Sequence, residues 1–170
     1  MSSSILTTHV GSLPRSKDLS ELLFAKDKQE HFDQEEFNHV VKKNVEEVVK
    51  RQLQVGIDVV SDGEMSKISY ATYVKDRIKG FSGESERRAP ADLDAFPEYK
   101  MKIANSGGTP TYTRPCCTSE LEIQDTQSLK DDIENLSNSL SSNNHSKAFM
   151  NAASPGVINV FMPNKFYKDD

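Results

Sequence analysis

Thr7-Thr8-His9-Val10-Gly11-Ser12-Leu13-Pro14-Arg15 and Gly56-Ile57-Asp58-Val59-Val60-Ser61-Asp62-Gly63-Glu64-Met65-Ser66-Lys67 decide the fold. Each reads as a buried strand that runs into polar and glycine residues. In the first, the apolar and β-branched run over residues 5–10 stops at Gly11-Ser12, where the backbone can open, and Pro14 bars the strand from continuing. In the second, Ile57 to Val60 is a compact β-rich run, and Ser61-Asp62-Gly63-Glu64 sets two carboxylates just past it. Between them, Asp33 caps a helix in which Phe37, Val40, Val41, Val45, Val48, Gln52 and Val55 recur at helical period until Gly56 stops it. Strand, helix, strand with chemistry at the strand C-termini is the pattern of a parallel α/β protein with its site on one face.

Working outward, Ser16-Lys17-Asp18 caps a short helix through Leu19, Leu22, Leu23 and Phe24. Tyr70, Tyr73, Val74, Arg77 and Ile78 predict another helix, ending at Gly80. Residues 81–108 are charged, contain Pro90, Pro97 and Gly107-Gly108, and read as a long loop insertion with at most a helical turn. Leu129, Ile133, Leu136 and Leu140 mark an amphipathic helix, and Pro155-Gly156 shapes a further helix start. Expected strands lie at residues 5–10, 57–61, within 111–123 and at 148–153.

The chain has 170 residues, of which 35% are hydrophobic, so its core is small for its length. A net charge of -5 argues against a nucleic-acid partner, which a basic stripe would attract. No apolar run approaches the ~18 residues of a membrane span, and Met1-Ser2-Ser3-Ser4 lacks the pattern of a secretion signal, so the expected location is cytoplasmic. Cys116 and Cys117 are adjacent, which rules out a disulfide framework and makes them poor joint metal ligands. They read as buried small apolar residues.

The pairing THVGSLPR and GIDVVSDGEMSK, followed downstream by Asn151-Ala152-Ala153-Ser154-Pro155-Gly156, resembles the cobalamin-independent methionine synthase (MetE-like) superfamily. The resemblance implies an α/β fold of the (β/α)8 TIM-barrel type. Because a complete barrel needs roughly 200–250 residues, only about the first four βα units are expected, a half barrel forming one partial domain over residues 1–170. It further implies a methyltransferase that moves a methyl group from a methylated folate or other carrier to the thiolate of homocysteine held on zinc. The zinc ligands of the complete family enzyme belong to its C-terminal half, so none is expected in this chain. The expectation is that the chain supplies the amino-acid-binding half and is inactive alone.

Residue by residue, the resemblance places Glu64 on the amino group of homocysteine, the alternative being a solvated loop acid. Gly11 and Ser12 match backbone and hydroxyl contacts to the amino-acid carboxylate, and N–H groups at such a turn suit an anion. Asp62 would orient Lys67 or a ligand, or serve only as a turn residue. His9 is either a satisfied core histidine or ligand-facing. Arg114 resembles an arginine at the folate tail or substrate, against a plain surface arginine, and Ser154 is expected to face the pocket. His31, His39 and His145 read as solvated. Two other functions stay open: a zinc-dependent thiol alkyltransferase of the coenzyme M type, and a non-catalytic half-barrel module that pairs with itself or with a C-terminal half.

Overall fold

The computed structural model describes residues 5–85, 91–105 and 112–169, without the side chains of 103–105. The first helix, α1, runs Lys17–Asp27 and is capped by Ser16, whose hydroxyl accepts from the Leu19 N–H. Helix α2, Gln34–Gln54, starts where the Asp33 carboxylate accepts from the N–H groups of Glu35 and Glu36 at 2.8 and 3.0 Å. Both caps satisfy donors that the first helical turn leaves without a partner. The core forms where the apolar face of α2 (Phe37, Val41, Val45 and Val49) meets Leu19 and Leu23 of α1, together with Val60, Met65 and Leu136. Leu136 belongs to α4, Gln127–Ser142, which packs on α2. The same face of α4 leaves Leu129 and Ile133 exposed, so its apolar stripe is only partly covered.

Three of the expected strands come together in parallel, each contact being a single bridge. Thr8 pairs with Val59, and Val60 with Ala148. The segment after α2 therefore lies between the other two. Its N–H groups at Val59 and Val60 donate to Thr7 and Lys147 at 3.0 Å each, and the Phe149 N–H donates back to Val60 at 3.1 Å. Asp58 fastens the first segment from the side, accepting from the Thr7 N–H at 2.8 Å and the Thr7 hydroxyl at 2.9 Å. These hydrogen bonds hold the Asp58 carboxyl below the ordinary aspartate value.

The fourth expected strand departs from this parallel set. Strand β2, Cys116–Ile123, pairs antiparallel with β1, Ile78–Ser82, as a separate two-stranded sheet. Where the spacing of Tyr70 to Ile78 predicts a helix ending at Gly80, the chain instead makes a short 3-10 turn over Thr72–Asp76 and enters β1. The reason is nonlocal. Gly80 has φ +103°, and a Cβ there would meet the Glu120 and Ser119 carbonyl oxygens at 2.7 and 2.9 Å, so the opposing backbone needs a glycine at the irregularity in the ladder. Ion pairs dock the segment leading into β1 on the helices: Arg77 meets Asp132 of α4 at 2.7 Å, and Lys75 meets the buried Asp27 of α1 at 2.6 Å. Asp27 also accepts from the Thr113 N–H at 2.8 Å.

Within the expected loop at residues 81–108 the described residues include a helix, α3, Pro97–Asn105, more regular structure than the sequence suggests. The last helix, α5, Pro155–Phe161, follows the third parallel segment. Cys116 and Cys117 are free and buried, as their apolar reading requires. No helix among the described residues is long and apolar enough to cross a membrane.

Candidate functional site

Ser61 to Lys67 leaves the middle parallel segment as a tight, buried turn, and its side chains converge with those of two neighbouring segments. Gln52, one of two polar residues on the buried stripe of α2 with Asn44, fixes the start. Its carboxamide accepts from the Ser61 N–H at 3.0 Å and donates to the Ser61 carbonyl at 2.8 Å. The Asp62 carboxylate then accepts from the Glu64 N–H at 3.1 Å, and Glu64 itself adopts φ +57°. Left-handed backbone is uncommon for a residue with a side chain and marks a position that its surroundings over-determine.

Those surroundings are visible. Arg15, just past the first segment, donates through Nη2 to the carbonyls of Glu64 and Lys67 at 2.9 and 2.7 Å. The Leu13 N–H reaches the Gly63 carbonyl at 3.1 Å. Gly63 is needed here, because its φ is +63° and a Cβ would crowd Leu13 Cβ at 3.1 Å. Burial lowers the Arg15 guanidinium from its ordinary value, a shift opposed by the charges of Glu64 and Asp62.

Glu64 is 3% exposed. Its Oε2 accepts from the Ser12 hydroxyl at 2.5 Å, and its Oε1 accepts from the Asn151 carboxamide at 3.0 Å. Both donors are neutral. The two neighbouring cations are engaged elsewhere: Arg15 on backbone carbonyls, and Lys67 with Asp62 at 3.8 Å and the Asn151 carbonyl at 3.1 Å. Among the described residues no lysine, arginine or histidine forms an ion pair with Glu64. A buried carboxylate whose direct donors are neutral, with the Arg15 charge acting on it only from a distance, keeps acceptor capacity and favours a cation at that point.

Asp62 differs. Burial raises its carboxyl above the ordinary value, opposed first by Lys67 and then by the hydrogen bond from the Glu64 N–H. From the ordinary value of 3.8 up to the raised native value, the folded chain holds a proton that the unfolded chain releases. Stability contributed through this group therefore falls as pH rises across that window. Asp62→Asn is expected to flatten this slope in urea unfolding midpoints followed from about pH 4 to 7. An unchanged slope would show that Asp62 is not the group responsible.

The expected site residues divide. Gly11, Ser12, Asp62 and Glu64 fall in one place. His9, on the same first segment, is half-buried, and among the described residues its Nε2 has no hydrogen-bond partner. Among the described residues, Arg114 and Ser154 form no hydrogen bond or ion pair with the two carboxylates, and their side chains contact α5. The Arg114 guanidinium stacks 5.1 Å from the Phe161 ring of α5, and its Nη2 reaches the Phe161 carbonyl at 3.4 Å. Ser154 is exposed and caps α5 by accepting from the Val157 N–H at 3.3 Å. Arg15, Lys67 and Asn151 stand within the quoted motifs, yet only their contacts across the fold single them out. The donor set does not fit zinc: among the described residues no group of three His, Cys, Asp or Glu side chains converges, and adjacent strand positions direct Cys116 and Cys117 to opposite faces.

A family model described as "Cobalamin-independent synthase, Catalytic domain" matches residues 5–90, just over half of the chain, and covers the Gly11-Ser12 and Asp62 to Lys67 turns. The chain belongs to this family. Within the cobalamin-independent synthase family it is 35% identical over 77 residues to a probable 5-methyltetrahydropteroyltriglutamate–homocysteine methyltransferase of Schizosaccharomyces pombe. It is 25% identical over 76 residues to a 5-methyltetrahydropteroyltriglutamate–homocysteine methyltransferase of Thermotoga petrophila. These alignments take in 44% and 45% of this chain, and the chain spans about a tenth, 10%, of the length of each relative. A solved B12-independent methionine synthase from Shewanella sp. W3-18-1, in complex with selenomethionine, matches 96% of this chain and 42% of its own. The TM-score is 0.64 at 18% identity, a likeness of fold.

Proposed function

We propose that this chain supplies the amino-acid clamp of a methyltransferase of the cobalamin-independent methionine synthase type, with Glu64 receiving the ammonium of homocysteine or methionine. One observation supports the reading: the Glu64 carboxylate is buried, held by two neutral donors and, among the described residues, in no ion pair. An amino acid brings the missing positive charge, and a charge-assisted hydrogen bond to a fixed carboxylate is about twice as strong as a neutral one. In this reading the Gly11-Ser12 turn meets the ligand carboxylate through backbone N–H groups. His9 Nε2, enclosed on the same segment, is a third polar group for the ligand to engage.

In this reading the residues of the chain bind and orient the amino acid and leave the thiol to other groups. Zinc in the family keeps a thiol as thiolate at neutral pH. Its ligands, like the contacts to the methylated folate, would come from polypeptide other than this chain, so the chain alone is expected to bind without turnover. Titration of the labelled chain with L-homocysteine, followed by amide NMR, tests this. Shifts should cluster at Gly11, Ser12, Gly63 and Glu64, with no methyl transfer from methyltetrahydrofolate. Shifts elsewhere, or turnover by the chain alone, would overturn it.

Assembly is a second reading with its own support. Ile5, Val10 and Val160 are 94%, 69% and 73% exposed, and each parallel segment is held by isolated bridges only. Surface of this kind suits the remaining strands of a barrel, from a second copy or a complementary half. Light scattering that shows a discrete dimer would favour self-pairing, and a monodisperse monomer would exclude it.

A further inference from the structure

We propose that Asn151 is a positioning residue that aims the Glu64 carboxylate and thereby sets preference for ligands that carry an ammonium group. The inference rests on the amino-acid reading of the site and assigns a role to a residue beyond the 5–90 segment that the family model matches. Asn151 acts through both of its polar ends. Its carboxamide donates to Glu64 Oε1 at 3.0 Å, and its backbone carbonyl accepts from Lys67 Nζ at 3.1 Å. Lys67 is 2% exposed, sits 3.8 Å from Asp62 and lies 5.2 Å from the Tyr73 ring, so it is fixed on every side. The third parallel segment is thus pinned to the Asp62–Lys67 turn by its backbone while its side chain grips the carboxylate of the same turn.

The residue type matters. An ionised carboxylate only accepts hydrogen bonds, so its holder must donate. A lysine or arginine in this place would donate but also neutralise the charge that the ligand needs, and an aspartate would repel it. A carboxamide donates without a charge. Ser12 does the same at Oε2, which leaves Glu64 oriented from both sides and, among the described residues, without an ion pair.

Calorimetric titration of wild type and Asn151→Ala with L-methionine, and with its analogue lacking the amino group, 4-(methylsulfanyl)butanoate, tests the assignment. Wild type should prefer L-methionine. Asn151→Ala should lower that preference about tenfold, the scale of one hydrogen bond to a charged group, with affinity for the analogue unchanged. Equal losses for both ligands, or a preserved preference, would reduce Asn151 to a structural residue and overturn the inference. A wild type that does not distinguish the two ligands would overturn the amino-acid reading and the inference with it. Should Asn151→Ala fail to fold, the side-chain amide signal of Asn151 in wild type and Glu64→Gln replaces it. A shift on changing Glu64 supports the contact, and an unmoved signal overturns it.

Discussion

Glu64→Gln is expected to weaken L-homocysteine and L-methionine binding by roughly 10- to 150-fold, the loss of a hydrogen bond to a charged group worth about 1.5–3 kcal/mol. The fold should survive, because a glutamine side chain has the same length and its oxygen can still accept from Ser12 or Asn151. Affinity for a ligand without the amino group should be unchanged or improved, since no buried anion then has to be desolvated beside it. Calorimetry on both ligands, with far-UV circular dichroism as the folding control, separates this outcome from simple unfolding. Equal affinity of the variant and wild type for L-methionine would mean that Glu64 does not meet the ammonium.

Lys67→Met should have the largest effect on stability. The substitution keeps an apolar stem in place but leaves Asp62 buried without its cation and frees the Asn151 carbonyl. Removing one member of a buried pair typically costs about 3–5 kcal/mol, and in a chain of this size that lowers the melting temperature by roughly 6–20 °C. Asp62→Asn in the same chain should restore much of the loss, because the uncompensated charge is then gone. Urea unfolding of the two single variants and the double variant measures the coupling. A loss below about 1 kcal/mol for Lys67→Met, the range of a surface pair, would show that the pair does not hold the turn together.

Local rules and long-range contacts contribute to this fold in different places, and sequence reasoning reaches only the first. Ser16, Asp33 and Ser154 each precede a helix and each caps it, so the starts of α1, α2 and α5 follow from residue type alone. For Ser154 the same local rule accounts for the cap it places on α5. The antiparallel pair β1–β2 was not legible, because Tyr70 to Ile78 has helical spacing while the need for Gly80 comes from carbonyl oxygens of Ser119 and Glu120 across the ladder. In the site, Asp62 and Glu64 stand out as carboxylates just past a strand. Asn151 meets Glu64 from 87 positions away and Lys67 from 84, separations at which periodicity carries no signal. Gln52 did leave a trace, as a polar residue at helical period with Phe37, Val41, Val45 and Val48; its reason is the two hydrogen bonds to Ser61.

The proposed clamp depends on one property, a buried carboxylate that selects an ammonium. Calorimetric titration of the unmodified 170-residue chain with L-homocysteine, and in parallel with 4-sulfanylbutanoate, which keeps the thiol and the carboxylate but lacks the amino group, measures that property directly. Saturable binding of L-homocysteine, with the analogue at least about tenfold weaker, is the predicted result. Equal affinities, or no binding of L-homocysteine, would contradict the account.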